Sequence, residues 1–186
     1  MLNFELQEAL IDVSEIKNEL KINDESWKFD VSRQAKIKVQ RETEAIFLRA
    51  ADRGDASVAT EEVHASKDSP LAPLFPNTMH FLSTQAEIRN AELGRALFAK
   101  LEPGGQVYSH IDRGSYYACR DRYHLVISSA DGSPMVCGDE EAVMREGELW
   151  WFDNKKPHEA FNRSSSSRIH LIFDLLPKSD PASQLE

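Results

Sequence analysis

Two of the six histidines in this chain of 186 residues sit where donor side chains of the right kind could converge on a cation. His110 and Asp112 are two apart in the run QVYSHID, and His158 opens a later run, HEAF. In a strand, residues i and i+2 point to the same face, so His110 and Asp112 are expected to present a nitrogen and an oxygen side by side. His158, arriving from a distant strand, would complete a set of two nitrogens and one carboxylate. Such a set covers one face of a metal and leaves the rest open, which suits Fe(II) and dioxygen chemistry. Arg168, ten residues beyond His158, starts the run RIHLIF, whose alternation puts Arg168, His170 and Ile172 on one side. A guanidinium turned into an apolar interior is costly unless an anion meets it, and its fork fits a carboxylate. A metal paired with a dicarboxylic co-substrate is the chemistry these residues suggest. Each pair alone arises readily by chance, and only the ordered combination is informative.

The elements that must position these residues are mostly short strands. From Gln106 to Leu176 about six apolar or alternating runs (QVYSHI, YHLVIS, PMVC, AVM, LWWF and RIHLIFDLL) are separated by turn chemistry at Asp131-Gly132, Gly138-Asp139, Glu146-Gly147 and Asp153-Asn154. Strands at this spacing predict a sandwich or barrel. Further strands are expected over Ala35–Val39 and Glu44–Leu48. Leu2, Leu6, Leu10, Val13, Ile16 and Leu20 recur at three or four residues, which predicts an N-terminal helical brace within residues 1–25. The stretch 85–101, QAEIRNAELGRALFAKL, shows the same spacing and predicts a second packing helix, ended by Pro103-Gly104-Gly105. Residues 53–76, with Gly54, Pro70, Pro73 and Pro76, read as a long loop. One domain over 1–178 and a frayed tail over 179–186 are the expected organisation.

Composition narrows the function classes. Lys and Arg number 22 against 31 Asp and Glu, a net charge of −9, which would repel nucleic acid or an anionic membrane. Two cysteines, Cys119 and Cys137, cannot build a disulfide framework, and neither has a base beside it in sequence, so nucleophilic catalysis is not expected. The acidic, amphipathic start differs from a secretory signal, and no stretch reaches 18 apolar residues, so a cytoplasmic location is expected. His64 and His80 read as ordinary surface or strand histidines, His170 is given no role, and Trp150, Trp151 and Phe152 read as core.

The runs LEPGGQVYSHID, RDRYHLVIS and EGELWWFDNKKPHEAFNRSSSSRIHLIFD, in that order over residues 101–175, resemble the core of the aspartyl/asparaginyl β-hydroxylase family of Fe(II)- and 2-oxoglutarate-dependent dioxygenases. The resemblance implies a mainly β double-stranded β-helix, the cupin-like jelly roll, flanked by the N-terminal helix and one further helix. It implies that His110 and His158 bind iron and that Arg168 grips the far carboxylate of 2-oxoglutarate. It also implies that Arg122 and His124 lie near the co-substrate's keto-acid end. Some members lack the carboxylate ligand; here Asp112 is present, which favours hydroxylation over halogenation. The implied reaction consumes 2-oxoglutarate and dioxygen, releases succinate and carbon dioxide, and hydroxylates an unactivated C–H bond of an amino-acid side chain, free or in a peptide. The family's secretory-pathway members carry a membrane anchor and helical repeats that are not seen in this sequence, so a bacterial-type soluble enzyme is the expected comparison.

Two other readings share the fold. A non-catalytic cupin-like module would bind metal or sense 2-oxoglutarate without turnover, and a metal-dependent isomerase or dioxygenase of the wider cupin type would need neither Arg168 nor the co-substrate.

Overall fold

The computed structural model describes residues 3–30 and 38–178, and among them eleven strands form two antiparallel sheets. Seven strands make the larger sheet, in the order β1 (Phe4–Glu8), β9 (Leu149–Phe152), β6 (Asp121–Ser128), β11 (Arg168–Pro177), β4 (Ala91–Leu101), β2 (Thr43–Ala51) and β3 (Ser66–Asp68). The smaller sheet runs β5 (Gln106–His110), β10 (His158–Phe161), β7 (Pro134–Cys137) and β8 (Glu140–Val143). Two facing antiparallel sheets with crossed strand order form the expected mainly β jelly roll. No helix among the described residues is long and apolar enough to cross a membrane.

Alternation along the strands divides the large sheet into two faces. Ile46, Leu48, Ala96, Phe98, Leu125, Ile127, Leu171 and Phe173 point one way and are covered by α1 (Ser14–Ile22) and α2 (Pro76–Ile88) through Val13, Ile16, Leu20, Leu82 and Ala86. The opposite face meets the small sheet, and Phe4, Val126, Met135, Cys137, Ala142, Met144, Phe152 and Ala160 fill the space between. Beside that packing, Ala45, Leu97, Ala99 and Ile172 make a thinner apolar floor. The site lies on this inner face.

Three expectations are corrected. The N-terminal helix begins at Ser14, and Phe4–Glu8 before it form edge strand β1, paired with β9 through Phe4↔Phe152 and Leu6↔Trp150. The spacing of Leu6 and Leu10 mimics a helical stripe, yet both are exposed, while Phe4 is buried between the sheets. The helix expected over 85–101 ends at Ile88, and Ala91–Leu101 is strand β4. This strand pairs with β11 on one side and β2 on the other and is buried on both faces. Its apolar run therefore lacks the period of two that marks a half-exposed strand. Pro103-Gly104-Gly105 closes a strand, with Gly104 at φ +83° between β4 and β5.

Of the strand expected over Ala35–Val39, residues 35–37 lie outside the described residues, and Lys38–Gln40 is one 3₁₀ turn. Glu44–Leu48 falls within β2 as expected. The connection from 53 to 76 is long and holds only β3 and two 3₁₀ turns, Thr60–Glu62 and Ala72–Leu74, before Pro76 starts α2. The 179–186 tail lies outside the described residues.

Candidate metal centre

His110 ends β5 and His158 starts β10, and the register of the small sheet sets them directly opposite each other. Their ring centroids are 4.2 Å apart. Asp112 is not on the strand with His110, as its spacing suggested. It lies in the turn beyond, where its backbone N–H donates to the Asn154 carbonyl at 3.1 Å, and its carboxylate faces the Nε2 atoms of both rings. One ligand atom from each of His110, Asp112 and His158 lies within 4.8 Å of the others. Nε2 of His110 is 3.9 Å from Asp112 Oδ1, and Nε2 of His158 is 4.0 Å from Oδ2.

The backbone fixes the tautomer of both imidazoles. Nδ1 of His110 is 2.8 Å from the Tyr108 carbonyl and Nδ1 of His158 is 2.9 Å from the Lys156 carbonyl. A carbonyl only accepts, so each Nδ1 carries a proton and each Nε2 is turned toward Asp112. Burial, against the pull of Asp112, pushes the His158 pKa down to about 4, so this ring is neutral at physiological pH. Burial raises the Asp112 carboxyl, but the Arg122 guanidinium and His158 outweigh it and hold Asp112 below the usual carboxylate value. Two imidazole nitrogens and one anionic oxygen are the donor set expected of a borderline divalent cation such as Fe(II).

Behind the triad is a cleft of about 520 Å³, open mouth included, lined among others by Thr43, His110, Arg122, His124, His158 and Arg168. Arg168 is 4% exposed, and its Nε and Nη2 are buried with no hydrogen-bond partner among the described residues. Burial alone pushes its pKa down to about 10. The Thr43 hydroxyl, two strands away through the Thr43↔Leu101↔Arg168 register, is buried and likewise has no partner among the described residues. An orphaned cation and an orphaned hydroxyl in one cleft are the complement of a carboxylate.

Arg122 and His124 also line this cleft, yet Arg122 is largely committed elsewhere. Its Nη1 donates to Asp112 Oδ2 at 2.7 Å, and its Nε and Nη2 donate to the two oxygens of Asp174 at 2.7 and 2.9 Å. His124 Nδ1 is 3.3 Å from His170 Nδ1. Both rings are buried, and burial first, then Arg168 and His124, keep His170 well below its ordinary pKa. A second cleft, of about 1260 Å³, meets the first at His110 and Arg122 and is lined by Arg95, Arg113, Tyr117 and Leu97 among others.

A sequence profile of the aspartyl/asparaginyl β-hydroxylase family matches residues 11–177. The chain belongs to that family. The aspartyl/asparaginyl β-hydroxylases of Mus musculus and Homo sapiens are 25% and 24% identical to it over 155 residues, which is 81% of this chain. The chain spans only 20% of the length of either relative. Its fold is shared with an oxidoreductase of the 2OG-Fe(II) oxygenase family from Burkholderia pseudomallei, at a TM-score of 0.56 and 12% identity over 83% of this chain and 78% of that one. A Pseudomonas putida prolyl-4-hydroxylase gives a TM-score of 0.51 at 15% identity, covering 96% of this chain and 95% of that one.

Among family members, then, this chain brings the sequence-predicted residues to one place between the sheets: His110 and His158 from the small sheet, Asp112 from a turn, and Arg122, His124 and Arg168 from the large sheet. Reading the sequence missed Thr43, Asn154, Tyr116 and Asp174. Thr43 and Tyr116 carry no local signal. Asp174 does: an acid in the apolar run LIFDLL is a buried charge that must have a partner. Cys119 has a histidine near it after all, His64 Nδ1 at 4.0 Å, but Arg120 Nη1 stands 3.3 Å from that same nitrogen and occupies the lone pair a base would need.

Proposed function

We propose that the chain is an Fe(II)- and 2-oxoglutarate-dependent dioxygenase that hydroxylates an unactivated C–H bond of an amino-acid side chain, free or within a peptide. The observation that carries the reading is Arg168, a buried guanidinium without a counter-ion among the described residues, in the cleft lined by His110 and His158 of the triad. The residues fit both a divalent metal and a keto diacid. His110, Asp112 and His158 would hold the metal, and Arg168 with Thr43 would hold the distal carboxylate of the keto diacid, with His124 on the cleft wall nearby. Bound iron supplies the redox chemistry that couples oxidative decarboxylation of the co-substrate to hydroxylation.

The chain's own part is binding, orientation and exclusion of water. Backbone carbonyls of Tyr108 and Lys156 orient the two imidazoles, and the apolar floor of Ala99, Leu97 and Ile172 keeps the cleft dry. The wider cleft beyond Asp112 would take the amino-acid substrate. Arg95 there is 8% exposed, bonded to the carbonyls of Thr60 and Val63, and Arg113 is exposed at the rim. Neither forms an ion pair among the described residues, which suits a substrate carboxylate over a polyanion. A cytoplasmic setting is part of the same reading.

The deciding measurement is succinate formation from 2-oxoglutarate with Fe(II) and air. The wild-type chain is expected to form succinate slowly alone and faster with the right amino acid or peptide, and His110→Ala and His158→Ala to form none. Succinate at the wild-type rate in either variant would refute the reading. Binding of 2-oxoglutarate without any turnover would favour a non-catalytic sensor.

A further inference from the structure

Asp174 lies on β11, six residues after Arg168, and is 1% exposed. Its oxygens accept two hydrogen bonds from Arg122 and a third, at 3.1 Å, from the Tyr116 hydroxyl. The direction of that third bond is fixed, because the Arg95 backbone N–H already donates to Tyr116 Oη at 2.7 Å and leaves the hydroxyl proton for Asp174. On the far side of the same guanidinium, Arg122 Nη1 donates to Asp112 Oδ2, and Asn154 Nδ2 donates to that oxygen at 3.0 Å. Asp112 Oδ1 accepts no hydrogen bond among the described residues and faces His110.

We propose that Asp174 is a positioning residue for the metal centre, acting through Arg122 to make Asp112 present one oxygen, Oδ1, to the cation. The inference rests on the reading of the triad as a metal site. An arginine beside a lone carboxylate pairs with it through the two-pronged fork and covers both oxygens. Here the Nε–Nη2 edge is taken by Asp174, which turns the Nη1 corner to Asp112, and the single bond made there, from Nη1, covers Oδ2 alone. Asp174 also offsets the positive charge of Arg122, which would otherwise repel a cation bound close by. Tyr116 anchors the far end of the chain of bonds, and Gly94 makes room for it, since a Cβ there would stand 2.4 Å from Tyr116 Oη.

The test is Mn(II) affinity of the full chain without co-substrate, read from the paramagnetic resonance signal of the free ion. Asp174→Asn is expected to weaken Mn(II) binding by about 10- to 100-fold, the range found when a group holding a metal ligand is removed. In an Asp112→Ala background the same change should cost less than about threefold, because the residue it acts on is gone. Tyr116→Phe, which removes one bond and no charge, should lose about two- to fivefold, and it serves as the readout if Asp174→Asn does not fold. Equal losses in both backgrounds, or wild-type affinity in Asp174→Asn and Tyr116→Phe, would overturn the inference while His158→Ala still abolished binding. Wild-type Mn(II) affinity in His158→Ala would overturn the metal centre itself and this inference with it.

Discussion

At the scale of single residues, the site is built from groups that destabilise the chain when nothing is bound. Arg168 is the clearest. Burial without an anion among the described residues pushes its pKa down to about 10, a cost on the order of 1 to 3 kcal/mol against folding. Arg168→Met should therefore raise the thermal midpoint of the free chain, at about 2–4 °C per kcal/mol for a chain of this size. The same variant should lose any upward shift on adding 2-oxoglutarate, and thermal unfolding with and without the diacid checks both outcomes. A drop in the free chain's midpoint would show that the guanidinium is stabilising. His158 gives a pH prediction. Its folded pKa of about 4 lies below its unfolded value of 6.5, so on acidification the unfolded chain takes up the proton first. Stability of the metal-free protein should thus fall as pH drops through 6.5 toward 4, with His158 contributing about 2 kcal/mol of loss between pH 7 and 5. Denaturant unfolding at the two pH values should show a smaller loss in His158→Gln, with the remainder due to groups such as His170, whose shift has the same sign.

At the scale of elements, the revealing case is β4. Its sequence has the spacing of a helix because every clue to a strand is hidden by burial on both faces, and its one glycine serves tertiary packing. Gly94→Ala would press a methyl group against Tyr116 Oη, with the Asp174 carbonyl and Arg120 Nε close behind. The expected loss is about 1–3 kcal/mol, as for other overpacked cores. Because the hydroxyl is the nearest obstacle, Gly94→Ala/Tyr116→Phe should recover part of that loss, and denaturant midpoints of the single and double variants decide it. No recovery would place the strain in the backbone of β11. The strands of the second half were legible because they are short, alternate or run apolar between good turn residues, and most site residues with them, because R-x-H lies within β6 and His110, His158 and Arg168 stand at strand ends, while Asp112 falls in the turn after β5. The N-terminal strand was not, since edge pairing with β9 leaves Leu6 outside although it is two residues from the buried Phe4, and so gives no period of two. The Asp174–Arg122–Asp112 chain was out of reach for another reason: it links residues 52 and 10 apart in sequence, across the sheet and a turn.

For the whole molecule, the division of labour between the sheets has a measurable consequence. The small sheet supplies both imidazoles, the large sheet supplies Arg168 and His124, and the two are joined by the core of Val126, Met135, Phe152 and Ala160 beside the cleft. A metal held by the small sheet and a diacid anchored on the large one would share the space between them, so each ligand should organise the wall the other needs. Each alone stabilises the chain by RT ln(1 + [L]/Kd), and independent sites give additive shifts. Mn(II) and 2-oxoglutarate together should exceed the sum of their separate stabilisations by about 1–3 kcal/mol, the usual size of coupling between sites. Unfolding measured with each ligand, both and neither yields that difference directly. In Arg168→Met the excess should vanish while the Mn(II) contribution stays, since the triad is intact. Additive shifts in the wild-type chain would mean that the guanidinium and the triad serve separate ligands, and the proposed co-substrate would no longer bridge the sheets.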